Sequence, residues 1–180
     1  MSKIIAFFDF DGTLTTKDSL GDFILFSFGL PKTIIGGIVL APYILCFWLG
    51  LMGNSRAKER VYRYFFGNLS VVDMKKLGLD YATNRIPIIL RKSGLDKLNW
   101  HKLNGHKVVI VSASPEYWLK SWAAGLEIDL IASTLEENCG FLTGKFSGFN
   151  CYGEEKVRRI NERYVLEDFC EIYAYGDSSG

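Results

Sequence analysis

Charge is missing from one long stretch of this chain: between Lys32 and Arg56 there is no acidic or basic residue. A segment so composed has no polar face to offer water, so it is either buried or in contact with lipid. Histidine is scarce, with two in 180 residues, and the four cysteines (Cys46, Cys139, Cys151 and Cys170) form no C-x-x-C pair. A zinc site is therefore not expected, and free thiols in a reducing cytosol are. No charge excess exists either: 21 basic residues against 20 acidic ones leave +1, which creates no field that would draw nucleic acid. The basic group Arg158, Arg159 and Arg163 reads as a solvated helix face, and His101 and His106 read as surface residues around a turn. The first eleven residues hold Lys3, Asp9 and Asp11 and run straight into a strand, so no cleavable signal peptide is expected. Internal repeats and low-complexity tracts are also lacking.

What is present begins with Ile4-Ile5-Ala6-Phe7-Phe8, an apolar run without alternation, as a strand buried on both faces of a parallel sheet requires. It ends in Asp9-Phe10-Asp11-Gly12-Thr13, two carboxylates two residues apart on a glycine turn, where open α/β sheets place their ligands. Such a D-x-D-G-T arises by chance in roughly one chain of this length in a few hundred. A calcium loop would need Gly at its sixth position and Glu at its twelfth; Leu14 and Leu20 stand there. Paired carboxylates so placed allow one to act as nucleophile or metal ligand while the other moves a proton.

This pattern resembles the first motif of the haloacid-dehalogenase-like phosphatase superfamily, and partners for it follow in family order. Lys107-Val108-Val109-Ile110-Val111-Ser112-Ala113-Ser114 is similar to the second motif, Gly153-Glu154-Glu155-Lys156-Val157 to the third, and Ile172-Tyr173-Ala174-Tyr175-Gly176-Asp177-Ser178-Ser179-Gly180 to the fourth. The fourth motif's second acid would fall one residue past Gly180. About ninety residues separate the first two motifs, and about forty the second and third. An insert so placed resembles the type-one cap of the phosphoserine-phosphatase-like group (subfamily IB). The resemblance implies an α/β fold: a Rossmann-like parallel sheet formed by residues 1–17 and 98–180, its C-terminal part lying beyond Gly180, with a helical cap at 18–97.

The resemblance further implies a phosphatase acting through an aspartyl phosphate on Asp9, with Asp11 as acid and base and Lys156 offsetting charge. Ser112 and the backbone at Ala113 would hold phosphate, and Asp9, the Asp11 carbonyl and Asp177 would bind Mg²⁺. An acid at position 11 sets the chain apart from ion pumps and dehalogenases of the same superfamily. Within the cap, Asp18 and Arg60 stand near the positions that touch substrate in the phosphoserine-phosphatase-like group. The implied substrate is a small phosphomonoester such as phosphoserine; a phosphatidylglycerophosphate-like lipid phosphate is the alternative. If the natural chain ends at Gly180, a catalytically silent binding or membrane-associated module is the third reading. The expected location is cytoplasmic, with peripheral membrane contact through residues 33–52 left open.

Read for local structure, residues 107–112, 128–133 and 171–175 predict strands. Residues 117–124 and 154–164 predict helices, and 135–149 a β-excursion with turns. The charge-free stretch predicts two short helices broken near Pro42, either buried against the cap or dipping into one leaflet. A single crossing is the least favoured reading, because it would put Asp9 and Ser112 on opposite sides of a bilayer.

Overall fold

The structure, a computed structural model, describes residues 3–177. In chain order it contains β1 (Ile4–Phe8), α1 (Ser19–Trp48), α2 (Asn54–Phe66), α3 (Val71–Asn84), α4 (Ile86–Ile89) and α5 (Lys92–Leu103). There follow β2 (Lys107–Pro115), α6 (Glu116–Gly125), β3 (Asp129–Ser133), a hairpin of β4 (Leu135–Asn138) and β5 (Phe141–Phe146), α7 (Glu154–Arg163) and β6 (Glu171–Tyr175). The main sheet has the order β3-β2-β1-β6, and every pairing in it is parallel. This is the α/β architecture expected from the unbroken apolar strands, and each expected strand and helix of the second half is found within a few residues of its place.

β1 lies between β2 and β6, and alternation along it feeds two cores. Ala6 and Phe8 join the larger core, which holds Ile110, Trp118 and the helices before β2; Ile5 and Phe7 join Val109, Val111 and Ile131 under α7. Phe7 meets the Tyr164 ring edge-on at 5.9 Å. Two arginines of the helix face expected to be solvated also tie α7 to the sheet, Arg159 half-buried and Arg163 still exposed. Arg159 donates to the Ala132 and Phe149 carbonyls and Arg163 to Leu130, so two acceptors on the open edge of β3 and one in the loop before α7 receive donors. His101 also departs from expectation, being fully buried, with Nε2 3.0 Å from the Tyr175 hydroxyl and Nδ1 2.8 Å from His106 Nδ1. Burial, then the neighbouring His106 and Lys97, pull its pKa down to about 4.

The charge-free stretch forms the second part of α1, and its break is not at Pro42. The helix breaks at Gly29, whose φ of +75° and ψ of 168° are out of reach for most side chains. Pro31 then sits in the first turn of the new segment, where an N–H has no internal acceptor to lose, and Thr33 Oγ1 caps the freed Gly29 carbonyl at 2.8 Å. Pro42 is carried within continuous helix, forfeiting one internal hydrogen bond. Nor is the stretch buried: Ile38 is 70 % exposed and Trp48 78 %.

The first part of α1 is held firmly. Phe23 stacks on Trp118 at 4.4 Å, and Asp22 receives Arg85 through two hydrogen bonds of 2.7 Å, with the Tyr81 hydroxyl at 3.1 Å. The Arg85 hydrogen bonds hold the Asp22 carboxyl below its ordinary value of 3.8. Removing one member of a buried pair strands the other. Arg85→Ala is expected to cost roughly 3–5 kcal/mol in urea unfolding at pH 7. Because the folded-state pKa is the lower one, the Asp22 contribution is present above pH 3.8 and fades as pH falls through the folded value. The stability gap between the parent chain and Asp22→Asn is therefore expected to be constant near neutrality and to shrink below pH 4; a gap that widened in acid would contradict this.

Candidate active site

The carboxyl end of β1 is fixed from the side: the Asp9 N–H donates to the Tyr175 carbonyl of β6 at 2.9 Å. Beyond it the chain makes one wide turn over Phe10–Leu14, closed by the Thr15 N–H on the Phe10 carbonyl at 3.1 Å. Asp9 Oδ1 accepts from the Phe10 N–H at 2.7 Å, and Oδ2 lies 2.8 Å from Lys156 Nζ. Lys156 reaches this point because Gly153, at φ +58°, turns the chain into α7. Gly12 takes φ +76°, and its bare α-carbon faces Asp177; a Cβ there would stand 2.1 Å from Asp177 Oδ2. The first, third and fourth motifs thus meet at one sheet end. Ser178–Gly180, the rest of the fourth motif, lie outside the described residues.

Asp11 turns the other way, into the protein. Its Oδ1 accepts from the Ser19 N–H and its Oδ2 from the Ser114 hydroxyl, each at 2.6 Å. Ser114 is tied in turn to Ser112, whose Oγ accepts the Ser114 N–H at 3.0 Å, and to Ser19 Oγ at 3.0 Å. Burial, then the nearby Asp18 charge, raise the Asp11 pKa, against the lowering effect of the serine hydrogen bonds. The second motif is therefore joined to the first through the Asp11 carboxyl group.

Two residues not singled out from the sequence also face this cluster, both from α2. Lys58 Nζ donates to the Ala113 carbonyl at 3.4 Å; burial lowers its pKa, while the charges of Asp11, Asp18 and Asp9 act in the opposite sense. Tyr62 is fully buried, its hydroxyl has no hydrogen-bond partner, and burial followed by Asp18 and Asp11 raises its pKa well above 10. Lys58, Tyr62 and Phe65 recur at helical spacing, so a lysine on the inward apolar face of α2 was the available signal. Of the two cap residues expected near substrate, Asp18 caps α1 through the Gly21 N–H at 3.0 Å and stays within electrostatic reach of Asp11. Arg60 is not brought to the site: it is exposed, with its guanidinium over the Tyr43 ring at 5.0 Å.

Asp9, Gly153 and Lys156 line an open cleft of about 700 Å³, and Gly12, Arg91 and Asp177 line a second of about 550 Å³ on the other side of β6. Among the described residues no three His, Cys, Asp or Glu side chains gather as a metal cluster. The donors at hand are the Asp9 and Asp177 carboxylates and main-chain carbonyls of the turn. An all-oxygen set with so few protein ligands fits Mg²⁺, which keeps several waters, better than zinc. The bare Gly12 that admits the Asp177 carboxylate is the structural sign of that fit.

Comparison with known proteins agrees with this geometry. Protein CicA of Caulobacter vibrioides is 32 % identical over 180 residues, covering 98 % of this chain and 79 % of that protein. A protein of unknown function from Bordetella pertussis Tohama I shares the fold with a TM-score of 0.81 at 22 % identity, over 97 % of this chain and 82 % of that one. A phosphoserine phosphohydrolase-like protein from Francisella tularensis shares it with a TM-score of 0.66 at 18 % identity, over 97 % and 77 %. Residues 6–180 match the haloacid dehalogenase-like hydrolase family, and with all four motifs in order on a parallel sheet the chain belongs to that family.

Proposed function

We propose that this hydrolase cleaves phosphomonoesters, with Mg²⁺ as cofactor and Asp9 as nucleophile. The observation that carries the reading is the division of labour between the two carboxylates. Asp9 stands at an open cleft with its charge balanced by Lys156, while Asp11, two residues on, is buried and inclined to keep its proton. Asp9 would attack phosphorus in line, forming an aspartyl phosphate. Asp11 would give its proton to the departing alkoxide and take one back from the water that hydrolyses the intermediate. Ser112 and the Ala113 backbone would hold phosphate oxygens, and Lys156 would offset the negative charge gathered around Asp9. Mg²⁺ held by Asp9, Asp177 and the Asp11 carbonyl would neutralise charge on the phosphoryl group.

In this reading residues 18–97 form a cap over a core made of 1–17 and 98–180, and α2 supplies the contacts to the leaving group. Lys58 and the unpartnered Tyr62 hydroxyl take the place that Arg60 was expected to fill. A small phosphomonoester such as phosphoserine is supported by likeness of fold to phosphoserine phosphatases. A lipid phosphate is favoured by a separate observation, the exposed apolar helix beside the site.

Asp9→Asn is expected to lower turnover of an aryl phosphate at least about a thousandfold, and EDTA to abolish it until Mg²⁺ is restored. Full turnover in either case would overturn the reading. Asp11→Asn is expected to slow alkyl phosphates far more than aryl phosphates, whose leaving groups need no proton; equal losses would remove Asp11 as the acid. Lys58→Ala is expected to raise KM for an anionic substrate several-fold while leaving the urea midpoint unchanged, a combination that a purely structural lysine would not give.

A further inference from the structure

The second part of α1, from Leu30 to Trp48, is roughly 28 Å long and continues into the apolar turn Leu49-Gly50-Leu51-Met52. At 3.6 residues per turn, Ile34, Ile38, Leu45 and Trp48 fall on one face, with Ile35 and Leu49 at its margin. That face points away from the protein: Ile38 is 70 % exposed, Leu45 55 % and Trp48 78 %. The opposite side of the helix is covered by α2, which runs back alongside it. Phe28 lies 5.7 Å from Phe65 ring to ring, Gly36 abuts Phe65, and Tyr43 lies under Arg60. Both ends of the ridge therefore return to the same body, as the position of Asp9 beside Lys156 requires.

Alongside this face runs a line of positive charge. Arg56, Arg60 and Arg63 recur at i, i+4 and i+7 on α2, within about 60° of arc, and all three are exposed. Among the described residues none of them has an ion-pair partner, although Arg158, Arg159 and Arg163 on α7 all do. The ridge ends beside the site: Asn54, the first residue of α2, accepts from Asn150 Nδ2 at 3.1 Å, and Lys58 follows one turn later.

We propose that this face docks on an anionic lipid bilayer. The helix lies in the interface with Ile34, Ile38, Leu45 and Trp48 among the acyl chains, while Arg56, Arg60 and Arg63 meet lipid phosphates. Charge complementarity selects this occupant over a second copy of the chain. A dimer through the ridge would bring two unneutralised arginine rows together, whereas a bilayer supplies apolar depth and negative charge in the right order. The active-site mouth then stands at the surface, so the phosphomonoester is a membrane-borne one. That consequence rests on the hydrolase reading; the docking does not.

Co-sedimentation with vesicles of neutral phosphatidylcholine, with and without 30 % anionic phosphatidylglycerol (roughly the proportion that gives a marked surface potential), tests the docking without any turnover. The chain is expected to bind the anionic vesicles, and Asp9→Asn to bind equally well. The triple change Ile38→Ser, Leu45→Gln, Trp48→Gln should reduce partitioning roughly a hundredfold with unchanged aryl-phosphate turnover. Arg56→Gln with Arg63→Gln should abolish the preference for anionic over neutral lipid. As a check independent of the triple variant's folding, brominated lipid should quench tryptophan emission, and Trp48→Phe should remove that quenching. Failure to bind either vesicle would overturn the proposal, as would a dimer that the triple change dissolves in the absence of vesicle binding. If the chain binds vesicles but hydrolyses a diacyl lipid phosphomonoester no better than its chain-free headgroup, the membrane-borne substrate falls while the docking stands.

Discussion

The rest of the site depends on the confinement of β1 between two parallel neighbours. A central parallel strand can neither slide nor tilt without breaking ladders on both sides, and the Asp9 N–H continues the ladder to β6 past the last strand residue. The Asp9 carboxylate thus leaves the strand at a fixed point, and the wide turn after it sends Asp11 back into the protein. The two groups differ in environment because the turn places one at an open cleft and the other against Ser19 and Ser114. Burial on that side raises the Asp11 pKa above its ordinary value.

From that point the remaining motifs converge for separate physical reasons. Gly153 sets the direction of α7 and so the reach of Lys156 to Asp9. Gly12 leaves room for Asp177 where any side chain would collide. α2 approaches from the helical insert with Lys58 and Tyr62 turned inward, Lys58 toward the Ala113 carbonyl, and with three exposed arginines outward. The apolar half of α1 rides on the back of that helix, which connects the proposed membrane surface to the site within one turn of chain.

Much of this was legible in the residues. Strands buried on both faces must be written as unbroken apolar runs, so Ile4–Phe8 and Lys107–Ser112 declared both themselves and the parallel sheet. The D-x-D-G-T turn, Lys156 after Gly153 and Asp177 after a strand were legible because each sits at a fixed offset from a strand or helix end. Helix faces were not. Choosing Arg60 over Lys58 required knowing which side of α2 meets the core, and the i+4 partner Tyr62 becomes informative only when read with Phe65 and Phe66. Proline is the usual breaker, which points to Pro42, but the helix breaks at Gly29, which takes a positive φ, and Pro31 begins the next segment. Residue type alone makes Arg159 and His101 look solvated, but the open edge of β3 draws the Arg159 guanidinium and His101 is buried against the Tyr175 hydroxyl.

The central claim is that Asp9 becomes phosphorylated during turnover. The most direct measurement is to quench the working enzyme in acid, reduce it with borohydride and map the peptides. An acyl phosphate on a β-carboxyl is reduced to homoserine, a residue the peptide from Lys3 to Lys17 does not otherwise contain. The account predicts homoserine at position 9, formed only with substrate and absent in Asp9→Asn. Conversion at another residue, or none under conditions where hydrolysis proceeds, would contradict it.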